Sequence, residues 1–174
     1  DSCVLSGEMR LPNFIKLDVH SAELPALIGA AKSLDDCVGL LIETWHSEVH
    51  EGQGLHYEVE KFGVENGFEV FDIECAARWY VKNNNEICRF EKARYIGSEI
   101  LFIKKDVRDD LNIKKAFVLS LFGFYSDALN SLEDLSDDRV KNFHASVSKA
   151  QFAASKLSVR SVARKLVSRI ESWL

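Results

Sequence analysis

A chain of 174 residues with 47% hydrophobic content, three Trp and eleven Phe has the length of one domain and enough apolar side chains for a substantial core. Two prolines and nine glycines argue against a disordered or fibrous chain. The net charge of −5 gives no overall attraction to nucleic acid or to a membrane.

In chain order, "NFIKLDV" (13–19) alternates Phe14, Lys16 and Asp18 with Ile15, Leu17 and Val19, the period of a strand. Ser21 is placed to cap a short helix with Pro25 in its first turn, where a missing amide hydrogen costs little. Ser33 followed by Asp36 reads as a second helix start. Leu34, Val38, Leu41 and Trp45 then recur at helical spacing, so a helix is expected to run to about Val49, where "EGQG" (51–54) breaks it.

From Leu55 to Val107 the period becomes two. Four strands are expected at about 55–64, 68–82, 86–96 and 99–105, with turns at "ENG" (65–67), "NNN" (83–85) and "GS" (97–98), which makes an antiparallel meander. Gly67 in the left-handed position of a three-residue loop would pair Val59 with Ile73, Tyr57 with Cys75 and Leu55 with Ala77. The opposite face would then set Glu60 against Asp72 and Glu58 against Glu74. A turn at Asn84 and Asn85 would pair Trp79 with Phe90 and Arg78 with Glu91. A register slip of one residue would mix these acids into the apolar face, so burial favours the first alignment.

Asp109 or Asp110 is expected to cap a long apolar helix, Ser136 another, and Ser158 a last one. The whole reads as a single α+β domain over 1–174. Its parts are a strand with two helices (1–50), the meander (55–107) and a helical C-terminal part (109–174).

His46, His50 and His56 have the spacing of the histidines in the long metzincin motif, and over these eleven residues the chain resembles that family. There the first two histidines lie one helical turn apart and the third follows a glycine turn, so that three imidazoles hold one zinc. Ser47 occupies the place of the general-base glutamate, and Gln53 that of the turn glycine. Without a base on the zinc water the protease mechanism loses its proton acceptor. The histidines are read instead as side chains at a helix end, with a bare zinc site at the i, i+4 pair His46 and His50 as the alternative, and no metal or other cofactor is assigned. Cys3, Cys37, Cys75 and Cys88 form no C-x-x-C pair and are read as reduced, mostly buried thiols.

Charge is laid out unevenly. From Ser33 through Glu74 there are eleven acidic residues and one basic residue, while from Arg139 through Leu174 there are eight basic residues and one acidic residue. The expected register gathers Glu58, Glu60, Asp72 and Glu74 on one face, with Glu69 near the turn. Like charges opposite one another on adjacent strands cost on the order of a few tenths to 1 kcal/mol per pair, so such a face favours something positive. A basic partner protein, a divalent cation or the chain's own basic C-terminal segment would serve.

In that segment Val159, Val162, Leu166, Ile170 and Trp173 follow helical spacing, and Arg160, Arg164, Lys165 and Arg169 lie largely away from them. No glycine-rich phosphate loop, G-x-S-x-G elbow or activated-thiol neighbourhood occurs, so no catalytic residue is assigned. The leading expectation is a non-catalytic interaction module, of the kind that inhibitors and immunity proteins exemplify, offering Glu58, Glu60, Glu69, Asp72 and Glu74 to a basic partner. The alternatives are a metal-dependent phosphodiesterase or nuclease using the strand carboxylates, and a nucleic-acid-binding subunit acting through Arg160, Arg164, Lys165 and Arg169. No run approaches the roughly 18–20 apolar residues that cross a bilayer, and the given sequence shows no basic-then-apolar start resembling a signal peptide. A cytoplasmic protein with no membrane contact is therefore expected.

Overall fold

The computed structural model describes residues 1–80, 92–133 and, in the stretch that follows, residues 142, 143, 145–147 and 149. The expected Asn84–Asn85 turn, the helix starts at Ser136 and Ser158, and the basic residues Arg160, Arg164, Lys165 and Arg169 lie outside them.

The elements follow the order α1 (Ser2–Leu5), β1 (Phe14–Leu17), α2 (Glu23–Gly29), β2 (Gly39–Trp45), α3 (His56–Glu65), β3 (Phe68–Trp79), β4 (Arg94–Lys104), α4 (Asn112–Leu121) and α5 (Tyr125–Asn130). The four strands form one sheet in the order β1-β2-β4-β3. β1 runs parallel to β2, and β4 is antiparallel to both β2 and β3. The protein is thus mixed α and β as expected, but the sheet is mixed and not an antiparallel meander. A parallel pair needs a crossover, which α2 and a short 3₁₀ turn at Ala31–Leu34 supply. β2, α3 and β3 make a second crossover whose gap is filled by β4, a split β-α-β arrangement.

Three expectations fail here for identifiable reasons. The segment read as a helix over Ser33–Val49 is the 3₁₀ turn followed by β2. Its run Val38–Ile42 is apolar without alternation because both sheet faces are covered. Leu40 and Ile42 pack with α2 and α3, while Val38 packs with α4 and α5. The segment read as a strand over 55–64 is α3, so the pairings Val59–Ile73, Tyr57–Cys75 and Leu55–Ala77 do not form. The predicted break at Gly97–Ser98 lies inside β4, facing Trp45 and Thr44 of β2. A Cβ at Gly97 would meet Ala77 Cβ at 3.2 Å and Trp45 Cε3 at 3.3 Å, so glycine here answers crowding between three strands.

Gly67 does adopt the left-handed conformation expected of it (φ 80°). It joins α3 to β3, however, and not two strands. β3 carries register shifts near Phe71 and Ala76, and Arg78 faces Tyr95 with Trp79 facing Arg94. The long apolar helix after Asp109 is interrupted at Phe122–Phe124, with Gly123 at φ 88°.

Two apolar clusters sandwich the sheet. On one side Leu27, Leu34, Val59 and Phe68 pack against Leu40, Ile42, Ile100 and Phe102. On the other Leu111, Ala116, Leu119 and Ala128 pack against Val38, Leu101 and Ile103. Cys37 is buried and its thiol is pushed up to about 11 by that burial. Cys3 and Cys75 are exposed free thiols, which corrects the expectation of mostly buried cysteines. No described helix is long and apolar enough to cross a membrane.

Candidate functional site

Beyond the apolar clusters, the same end of the sheet turns polar on both faces. Thr44 and Ser98 face each other across β2 and β4 and are buried. The Thr44 hydroxyl donates to the Ser98 carbonyl at 3.2 Å and lies 3.0 Å from His56 Nδ1. Ser98 Oγ lies 2.5 Å from His46 Nε2 and 2.6 Å from the Tyr95 hydroxyl. The His46 and His56 rings stack at 4.2 Å, and Tyr95 lies 4.9 Å from His46. Glu60 reaches His56 Nε2 at 3.4 Å, and the Arg78 guanidinium stands 5.4 Å above the Tyr95 ring.

His46 and His56 therefore do meet, though not through one helix: the first follows β2 and the second begins α3. His50 is the residue left out. It lies in a turn where its backbone N–H donates to Gln53 Oε1 at 2.8 Å. Among the described residues no metal-capable group includes these histidines; His46 Nε2 and His56 Nδ1 are engaged by hydroxyls and His56 Nε2 by Glu60.

Burial and the adjacent His56 hold His46 below its ordinary value of 6.5. The unfolded chain therefore takes this proton first as pH falls, and the stability that the neutral ring supports is complete above about 6.5 and lost on the acid side. Chemical denaturation between pH 7.5 and pH 5 should show that loss. His46→Gln should flatten the slope, and an unchanged slope in this variant would assign the pH dependence elsewhere.

The other face holds a row of carboxylates. Glu43 on β2 is directly opposite Glu99 on β4, which is directly opposite Glu74 on β3. Asp72 faces Leu101 one step along. Lys16 on β1 reaches Glu99 at 3.0 Å and Asp18 at 3.8 Å. Burial first, then Asp18, pushes the Glu43 carboxyl above its ordinary value.

Of the acids singled out from sequence, Asp72 and Glu74 belong to this face and Glu69 lies nearby, exposed on β3. Glu58 and Glu60 do not: both ride on α3, in the layer across the sheet. Glu58 instead accepts the Leu55 N–H at 2.8 Å and closes the first turn of that helix. The predicted oppositions of Glu58 with Glu74 and of Glu60 with Asp72 are thus replaced by Glu43–Glu99–Glu74. Glu43 was masked by the helical reading of its segment, and Glu99 by the turn placed at Gly97–Ser98.

An apolar groove of about 480 Å³ lies between β1 and α4, lined by Phe14, Val38, Phe117, Leu121, Phe122 and Phe143, with Asn13 and Lys114 as its polar lining residues. No family model matches the chain, and neither the curated proteins nor the solved structures compared with it gave a match.

Proposed function

We propose that the protein is a non-catalytic interaction module that offers the Asp72, Glu74 and Glu99 side of its sheet, with the adjoining edge of β3, to a basic segment of a partner protein. One observation carries this reading: three glutamates stand directly opposite one another on three neighbouring strands, and among the described residues Lys16 is the lysine or arginine bridged to the row. Cross-strand like charges lower the stability of the chain that bears them, so their retention makes sense when a positive surface covers them. β3 adds to this reading. Among the described residues it is an edge strand and its residues 72–76 are all exposed; an edge with unpaired backbone groups accepts an extended peptide while its acids select a basic one.

The phosphodiesterase reading is weaker, because Glu58, Glu60, Asp72 and Glu74 do not converge. The nucleic-acid reading rests on residues outside the described ones.

Two measurements test the proposal. Glu74→Gln should raise stability by a few tenths to about 1 kcal/mol by relieving the row. The combined Asp72→Asn, Glu74→Gln and Glu99→Gln variant should lose calorimetric binding to an arginine-rich peptide and the salt dependence that accompanies it. Equal binding by the wild type and this variant would remove the acidic face from the function.

A further inference from the structure

Asp18, His20 and Glu43 meet where β1 runs into the loop before α2. Each presents one donor atom, and the three atoms lie within 4.8 Å of one another. His20 Nδ1 is 3.8 Å from Glu43 Oε2. Asp18 and His20 face solvent, while the Glu43 side chain is only 18% exposed.

Glu43 makes this trio more than a chance grouping of polar side chains. Its Oε2 is shut off from water and has no hydrogen-bond partner among the described residues. A buried acceptor in that state is costly, and each instance calls for an explanation. Lys16 does not supply one, since its ammonium is bridged to Glu99 and Asp18. Other close groups deepen the deficit: Asp18 and Glu23 both add negative charge around Glu43, and Glu99 lies directly opposite it. Glu23 is itself occupied, accepting the Val19 and Ser21 N–H groups at 2.9 Å each. Those two bonds fix the backbone on either side of His20.

Crowded carboxylates are relieved by a proton or by a cation. The imidazole beside them favours the cation, because a neutral ring nitrogen adds a third ligand and no further charge. We infer that Asp18, His20 and Glu43 form a binding site for one divalent transition-metal ion of the manganese or zinc type, with water completing its coordination. Two ligands of one such ion, each about 2.0–2.2 Å from it, stand up to about 4.4 Å apart, so small side-chain rotations close the set. A mixed nitrogen and oxygen set suits manganese or zinc, whereas magnesium and calcium take oxygen ligands.

The site shares Glu43 with the carboxylate row, and the two proposals are told apart by their readouts, metal uptake here and peptide binding there. The full chain is titrated with Mn²⁺ and the free ion is read by electron paramagnetic resonance. One ion per chain should be taken up. Glu43→Gln, of the same shape, and His20→Asn, which suits the left-handed backbone there, should each weaken uptake by about tenfold or more, at least the scale seen for partners outside the first ligands. Glu65→Gln, on α3 across the sheet, should leave it unchanged. Absence of uptake by the wild type at about millimolar Mn²⁺ would overturn the inference. So would wild-type affinity in both variants, or Mg²⁺ competing on equal terms with Mn²⁺, because the imidazole would then not be a ligand.

Discussion

Phe102→Ala should lower the unfolding free energy by about 3–5 kcal/mol. Phe102 is fully buried in β4, the strand paired on both sides, and it packs in the cluster with Leu27, Val59 and Phe68. Its ring is held against the backbone of α3: a Cβ at Gly63 would meet it at 2.8 Å. Truncation therefore opens a void whose walls are a helix backbone and a central strand, neither of which can settle inward without moving a whole element. The size of the penalty depends on such collapse, which places this position toward the upper end of the range. Urea denaturation measures it directly, and the melting temperature should fall by on the order of 10 °C. A cost below about 1.5 kcal/mol, the range of volume-conserving swaps, would mean that α3 is free to close the gap and is not locked to the sheet as described.

The second large effect is expected at a charged residue. Glu23 is only 3% exposed and spends its carboxylate on the backbone of the preceding loop, through Val19 and Ser21. Within that loop His20 and Ser21 have φ values of 50° and 90°, conformations that non-glycine residues adopt only when their surroundings impose them. Glu23→Ala removes both acceptors at once. A hydrogen bond to a charged group is worth about 1.5–3 kcal/mol; these two are part-buried, so water recovers some of that and a net loss of about 2–3 kcal/mol is expected. Glu23→Gln keeps one carbonyl acceptor but turns an NH₂ toward the second N–H, so it should recover only part of the loss. If thermal and chemical denaturation place the Ala variant within about 0.5 kcal/mol of the wild type, as for an ordinary surface change, the loop is held by something else.

Much of the architecture was legible where one physical signal acted alone. β1 and β3 alternate and were found. The left-handed conformation of Gly67 was expected, and so was the helix after Asp110, although its interruption at Gly123 was not. Reading failed where two periods coincided. Leu55, Tyr57, Val59 and Phe62 contain both an alternating set and a helical set, Leu55, Val59 and Phe62. The choice is made by Phe102 pressing on Gly63, a contact no local window contains. Over Val38–Ile42 the alternation vanishes because both faces are covered, and the helical spacing of Leu34, Val38, Leu41 and Trp45 took its place.

The site was partly visible for the same reason. Asp72 and Glu74 lie on a correctly read strand, so their shared face was found. Glu43 and Glu99 needed the pairing of β2 with β4, across more than fifty residues of chain. The meeting of His46 with His56 was not expected, since the histidines were read as side chains at a helix end. Its actual partners, Ser98 and Tyr95, again arrive from β4.

β4 occupies an interior place in the sheet yet is the last of the four described strands to be synthesised. While the nascent chain still ends short of residue 94, β2 and β3 have no neighbour in common, and Leu40, Ile42 and Phe68 lack the surface that later covers them. Sheet closure must then wait for Arg94–Lys104 to slot between two elements already made, a late and non-local event that leaves apolar strands open to chaperones or to misassembly in the interval.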